Sequence, residues 1–266
     1  MGSAAVQGQL WGRAAHDWAE LQEPTALPLW EAMLDAAVVG PGIRVLDAGC
    51  GAGGASMLAA GRGAQVNGLD AAQALLAIAR ERVPDADFCV GDLEVLPYAD
   101  GIFDAIIVAD VLPYVADPGV ALTELRRVCA PRGRVVIAVW GRPEECEQQA
   151  IVTALRHIVP TPLGAEPFAF SAPGVLDALV AHAGLRVIGR GAVVCPCVYP
   201  DVETAWQALV AAGPLQAALR VVGERQLKAV VRAALVPYAT GTGGVRLEHR
   251  FRYVTAVPDE DQRPGT

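Results

Sequence analysis

Three carboxylates each stand at the end of an apolar run in the first hundred residues: Asp47 in "RVLDAGCGAGG", Asp70 in "QVNGLD" and Asp92 in "FCVGDLEVLP". Between the first two lies a glycine-rich loop. Its Gly49, Gly51 and Gly53 fit G-x-G-x-G, and its Gly49, Gly51 and Gly54 fit G-x-G-x-x-G. Such a loop lets backbone approach a ligand closely, and by itself it selects no particular cofactor. Asp47 breaks the tie. A pyrophosphate at the helix N-terminus would be repelled by an adjacent carboxylate by about 1 kcal/mol even at high effective dielectric. S-adenosylmethionine presents an ammonium and a sulfonium and no phosphate, so an acid there attracts it. Asp70 is placed to accept hydrogen bonds from ribose hydroxyls. Asp92, with the Leu93 amide beside it, suits the exocyclic amine and ring edge of adenine.

Acids at strand ends converge only if the strands lie side by side and point the same way. From Ile43 the chain supplies that pattern: "IRVLDA", "AQVNGLD", "ADFCVGD", "FDAIIVAD" and "GRVVIAVW" alternate with helix-period segments, the signature of βαβ units and a parallel sheet. Beyond residue 141 the order loosens. "EECEQQAIVTALRHIV" reads as a helix, "APGVLDALVAHAGLRVIGRGAVV" as helix then strand, 202–235 as a helical stretch, and "VRLEHRFRYVTAV" as a closing strand. The reading is a single α/β domain over 41–258 with helices on both faces of the sheet, and insertions near 142–170 and 201–240 covering one end of it. Residues 1–40 are helical in character, with Trp11, Trp18, Leu21, Leu29 and Trp30 on recurring faces. They read as an N-terminal cap or lid, and 259–266 as a flexible tail.

With these segments on the page, the stretch from about Gly42 to Trp140 resembles the class I S-adenosylmethionine-dependent methyltransferases, in the small-molecule branch similar to ubiquinone and menaquinone methyltransferases. The resemblance is carried by "VLDAGCGAGG", "GLDAAQALLAIAR", "GDLEVLPYADGIFDAIIVADVLPYVADP" and "ALTELRRVCAPRGRVVIAVW". It implies a Rossmann-like seven-stranded sheet, mostly parallel, with the last strand antiparallel. It also implies roles by position: Asp47, Gly49, Gly51 and Gly53 at the methionine end, Asp70 and Ala71 at the ribose, Leu75 packing near adenine, Asp92 and Leu93 at the adenine edge, and the Ala109 backbone near the amino group. The family often carries Ser where this chain has Ala72, which removes one polar contact.

Methyl transfer is an in-line attack on a sulfonium, so alignment and exclusion of water come first, and a general base helps a hydroxyl or enolisable acceptor. The candidates for that base are His16, in "RAAHDWAEL", His157 in the first insertion, and Tyr114 after the fourth strand. Tyr199, Trp11 and Trp18 are candidates for the substrate pocket or lid. His182 reads as a helix-end residue and His249 as a residue of an alternating strand. Asp110 follows the fourth strand and approaches the reaction centre, yet the N/D-P-P-Y/F arrangement of nucleic-acid amino-methyltransferases is absent. The expected acceptor is a small, partly apolar molecule such as a quinone, polyketide or other specialised metabolite, and the expected product is S-adenosylhomocysteine. Two rivals share much of this pattern: a protein that binds the cofactor without transferring its methyl, cyclase-like or regulatory, and an NAD(P)-dependent oxidoreductase.

The bulk numbers narrow the partners. The 266 residues carry a formal net charge of -8, which disfavours a sequence-independent grip on nucleic acid or acidic membrane surfaces. Six cysteines are scattered through apolar runs, and the Cys195-x-Cys197 pair has no second Cys or His pair, so free buried thiols and no metal site are expected. No run of eighteen apolar residues and no charged n-region with an apolar core occurs, so the expectation is a cytoplasmic protein. The apolar helices of 201–240 are either pocket walls or a homodimer surface.

Overall fold

In the computed structural model, residues 3–159 and 166–259 are described. The expected tail lies outside them apart from Asp259, as do 160–165 of the first insertion. Val45, Leu46 and Ala48 are all fully buried, so β1 (Arg44–Ala48) has no solvent face, as a central parallel strand requires. It pairs in parallel with β2 (Gln65–Asp70) on one side and β4 (Phe103–Ala109) on the other. β3 (Asp87–Val90) and β5 (Cys129–Trp140) extend the parallel set outward. β6 (Leu185–Tyr199) and β7 (Val245–Pro258) complete a seven-stranded sheet in the order β3-β2-β1-β4-β5-β7-β6, with β7 antiparallel to both neighbours. The expected sheet, including its antiparallel last strand, is the observed one. Pro196, which has no N–H for a ladder, sits on the edge strand β6.

The helices are α1 (Ala4–Trp11), α2 (Ala15–Asp17), α3 (Leu27–Ala36), α4 (Gly54–Gly61), α5 (Gln73–Arg82), α6 (Pro118–Val128), α7 (Gln149–Arg156), α8 (Val175–His182), α9 (Val202–Val210), α10 (Gly213–Val222) and α11 (Glu224–Leu235). Alternation along β4 sends Ile106 and Val108 into a core covered by α6 and α8, and Ala105 and Ile107 into a second core under α3. Helices thus cover both faces, as expected. A third core joins α7 and α9–α11 through Ile151, Trp206, Leu209, Leu227 and Val231, packed on the ends of β6 and β7 through Tyr199 and Leu247. Among the described residues no helix is long and apolar enough to cross a membrane, and no group of metal-ligating side chains forms. All six cysteines are free.

Two long helical expectations break where the backbone has other work. The helix read from Glu144 starts only at Gln149, after a 3-10 turn over Pro143–Glu145. The intervening backbone pairs with β7 instead: Glu147 N–H donates to the Glu248 carbonyl at 3.1 Å, and Cys146 bridges His249. The 202–235 stretch divides into three helices. Asp201 caps α9 by accepting from the Thr204 amide at 2.7 Å, Pro214 stands in the first turn of α10, and Gly223, at φ +77°, breaks the chain before α11.

Candidate active site

The loop after β1 is shaped by its glycines. Gly49 and Gly51 adopt φ +79° and +56°, in the left-handed region that favours glycine. A Cβ on Gly49 would lie 2.4 Å from a Val111 methyl, so the loop approaches the end of β4 as closely as backbone allows. Gly51 N–H donates to Asp70 Oδ2 at 2.9 Å and Ala72 N–H to Asp70 Oδ1 at 2.8 Å, which fixes the second acid beside the loop. Asp47 is 3% exposed, and Ser56 Oγ donates to its Oδ2 at 2.6 Å.

The electrostatics of this cluster are those of acids without a countercharge. Burial pushes the Asp47 carboxyl up to about 6 against the opposing Ser56 hydrogen bond, and the Asp70 charge adds to the rise. Asp70 is raised for the same first reason, burial, while backbone donors from Ala72, Gly51 and Ala71 hold it back. Neither acid has an ion-pair partner among the described residues. A ligand that brings positive charge and hydroxyl donors relieves both, and the glycine cradle leaves room for it. S-adenosylmethionine fits this donor and acceptor set, whereas a pyrophosphate would add like charge.

The cavity in front of the loop is lined by Asp47, Gly49, Gly51, Asp70, Ala71, Leu75, Asp92, Leu93 and Ala109. The structure thus brings together every residue proposed for the cofactor except Gly53. Gly53, at φ +82°, lies at the N-terminus of α4, where a Cβ would press within 3.0 Å of Ala79 on α5. It serves the packing of loop on helix.

The N-terminal segment lines the same cavity through Gln7, Trp11, Trp18 and Glu23. Gly8 of α1 sits so close to the loop after β2 that a Cβ there would fall 2.2 Å from the Ala71 carbonyl. Glu23, 4% exposed, accepts from the Ala52 amide at 2.8 Å and pairs with Arg82 at 2.5 Å. Arg82 in turn donates to the Ala19 and Ala52 carbonyls, so the cap is clasped onto α5 and the glycine loop. Burial lifts the Glu23 carboxyl to about 7, although Arg82 opposes this through its hydrogen bond and charge.

A second cavity adjoins the first. Its walls are largely aliphatic, with Ile151, Val152 and Leu155 from α7, Leu209 from α9, and Pro214 and Leu215 from α10. The Arg156–Glu166 pair, exposed on both sides, also lines it. Helices of the 201–240 stretch are therefore pocket walls. Trp11, Trp18, Gln22, Asp110, Tyr114 and Trp140 line both cavities and form the junction between them.

The candidates for catalysis separate on this geometry. Tyr114, Trp11 and Trp18 are at the junction, with Trp11 edge-on to both Trp18 and Tyr114 at 4.7 and 5.3 Å. His16 and His157 are exposed and line neither cavity. His16 follows the buried Ala15 on a one-turn helix and points to solvent, and His157 ends α7 on its solvent side. Tyr199 is buried and also lines neither cavity; its hydroxyl donates to Gln22 Oε1 at 2.6 Å and so positions a junction residue.

Three junction or cavity residues escaped the sequence reading in whole or part. His249 lines the first cavity at 2% exposure. It shares the buried face of β7 with Leu247 and Phe251, and an ionisable residue in the apolar phase of an alternating strand was the available signal. Trp140 ends β5 and donates to Asp110 Oδ2. Glu23 gave no signal, because nothing local links it to a loop some thirty positions downstream.

Residues 46–137 match a family model described as a methyltransferase domain. The chain is 40% identical over 111 residues to a demethylmenaquinone methyltransferase of Renibacterium salmoninarum, a match covering 42% of this chain and 47% of that one. It is 37% identical over 136 residues to the enzyme of that name from Beutenbergia cavernae, covering 51% and 57%. The chain therefore spans about half the length of the curated relatives it matches. Among solved structures, the 4+2 cyclase SpnF superposes with a TM-score of 0.56 at 21% identity, over 87% of this chain and 80% of that one, a likeness of fold. With the acid-lined cavity, the glycine cradle and the β3-β2-β1-β4-β5-β7-β6 sheet, these matches identify residues 46–137 as a methyltransferase domain of the class I S-adenosylmethionine-dependent kind, within a stretch similar to demethylmenaquinone methyltransferases.

Proposed function

We propose that the protein transfers the methyl group of S-adenosylmethionine to a small, partly apolar acceptor held in the second cavity. The observation that carries this reading is the pair of adjoining cavities, one lined by unpaired acids and the other by aliphatic side chains, meeting at Asp110, Tyr114 and Trp140. The cofactor supplies an electrophilic methyl on sulfur. The chain's own residues align and shield. Asp47 and Asp70 attract the positively charged end and the ribose, Asp92 and Leu93 face the base, and Trp11 and Trp18 from the cap keep water from the junction.

The two matched relatives are demethylmenaquinone methyltransferases, which favours quinone-like acceptors as the first to test, with polyketide-like rings next. The test is incubation of purified protein with methyl-labelled S-adenosylmethionine and an acceptor panel, with mass spectrometry of both products. Labelled acceptor and S-adenosylhomocysteine in equal amounts are expected. Tight binding of the cofactor with no demethylated product on any acceptor would instead favour a non-transferring, cyclase-like or regulatory role.

A further inference from the structure

Among the described residues, four buried side-chain polar atoms have no hydrogen-bond partner: Asp110 Oδ1, both ring nitrogens of His249, and Gln149 Oε1. Three of the four flank one side chain. Trp140 donates its indole N–H to Asp110 Oδ2, and its ring lies 5.2 Å, centroid to centroid, from the His249 imidazole. Folded proteins pair nearly all such atoms, so three orphans around one indole at a cavity wall mark a place that a ligand completes.

The backbone supports the same reading. Asp110 sits at φ +56°, one of two non-glycine residues in the left-handed region among those described. Strain of that kind persists where the surroundings hold a side chain in place for a purpose. Here it holds a carboxyl at the end of β4, facing both cavities. His249 comes from β7, two strands away in the sheet, and lines the first cavity beside Trp140, whose ring also packs near Phe251 and Phe168.

The protonation states define what would bind. Burial raises the Asp110 carboxyl well above the usual carboxylate range, against the Trp140 hydrogen bond, which favours its neutral form, with Oδ2 accepting from the indole. Burial lowers His249 to about 4, the nearby Glu248 carbonyl opposing it, so the ring is neutral and offers one donor and one acceptor. The wall therefore presents hydrogen-bonding groups without charge, beside a flat indole and next to an aliphatic chamber. A charged acceptor would gain little there, and a purely hydrocarbon one would leave the orphans unpaired.

We propose that Asp110 and His249 are the acceptor-recognition pair, holding against Trp140 a planar ring that carries two hydroxyl or carbonyl oxygens, with any apolar extension directed toward Ile151, Leu155 and Leu215. This rests on the methyl-transfer reading only in calling the ligand the acceptor; the pair itself is defined by binding.

The experiment is equilibrium dialysis of protein saturated with S-adenosylhomocysteine against 1,3-dihydroxynaphthalene and, separately, naphthalene. Two satisfied hydrogen bonds predict that the dihydroxy ring binds at least about tenfold tighter. His249→Phe, which keeps a ring and removes both nitrogens, and Asp110→Ala should each lower that preference severalfold. Asp110→Asn, which can still donate through its amide, should retain most of it. Equal binding of the two probes to the native protein overturns the proposal, as does a preference that survives both His249→Phe and Asp110→Ala. Should His249→Phe fail to fold, judged by its circular dichroism, the Asp110→Asn against Asp110→Ala comparison carries the test, and should Asp110→Ala fail, His249→Phe carries it. Methylated product without probe discrimination would sink the pair and leave methyl transfer standing. Discrimination without methylated product on any acceptor would do the reverse.

Discussion

Asp47 is a buried acid whose proton is held to about pH 6, and its ionised form is the one that attracts an ammonium. Affinity for S-adenosylhomocysteine should therefore rise with pH up to about 6, by at most about tenfold per unit for one proton, and level off above. Asp70 and Glu23, raised by the same burial, share the cavity and broaden the transition. Calorimetric titration from pH 5 to 8 checks this, and Asp47→Asn should weaken binding and flatten the profile. In the free protein the sign is opposite to that of a salt-bridged acid. Because the folded pKa lies above the unfolded value, the stabilising contribution is complete below about pH 4 and is lost as pH rises through about 6. The Glu23–Arg82 pair gives a second residue-scale prediction. Arg82→Met strands a carboxyl that is 4% exposed, which should destabilise the fold by about 3 kcal/mol at pH 8.5 and by less at pH 5.5, where Glu23 takes up a proton. Urea denaturation at the two pH values measures it, and Glu23→Gln in the same chain should recover much of the loss at the higher pH.

At the scale of elements, the site depends on two close approaches of backbone. The glycine loop meets the end of β4 at Gly49 and Val111, and α1 meets the loop after β2 at Gly8 and Ala71. The second contact holds the cap without belonging to the sheet's own core. Gly8→Leu, with a Cβ that would fall 2.2 Å from the Ala71 carbonyl, should therefore displace α1 and leave the sheet intact. The expected signature is earlier proteolytic cleavage within residues 1–40 and faster release of S-adenosylhomocysteine, with a melting temperature within a few degrees of the native protein. Unchanged cleavage in the presence and absence of the ligand would show that the segment is a fixed cap and not a lid.

For the whole molecule, the two cavities together join three separately built parts: the strand ends of the sheet, the N-terminal segment and the helical pack of α7, α9 and α10. Because a ligand that binds only the folded state stabilises it by mass action, S-adenosylhomocysteine at about 100 times its Kd should add roughly 2.7 kcal/mol, a rise in melting temperature of about 5–10 °C for a domain of this size. NADH at the same concentration should give no shift. A reversed result in differential scanning fluorimetry would overturn the charge argument at Asp47 and favour a nicotinamide enzyme.

Local signals were enough for the sheet and for most of the cofactor cavity. Apolar runs of strand length separated by helix-period segments dictate parallel βαβ units, and a carboxylate or glycine at the end of such a run is carried to the one edge where loops converge, so Asp47, Asp70 and Asp92 were legible. Periodicity also marks 202–235 as helical, although it runs three helices together across Pro214 and Gly223. Periodicity says nothing about which residues meet across long separations in the chain. Glu23 reached the glycine loop, Tyr199 turned from the cavity to Gln22, His16 and His157 faced solvent, and His249 entered the wall beside Trp140 only through the packing of the cap and of β7. The chain order of residues fixes what each element is, while burial of the remaining apolar faces decides which elements touch, and the aliphatic wall of the second cavity is built from such contacts.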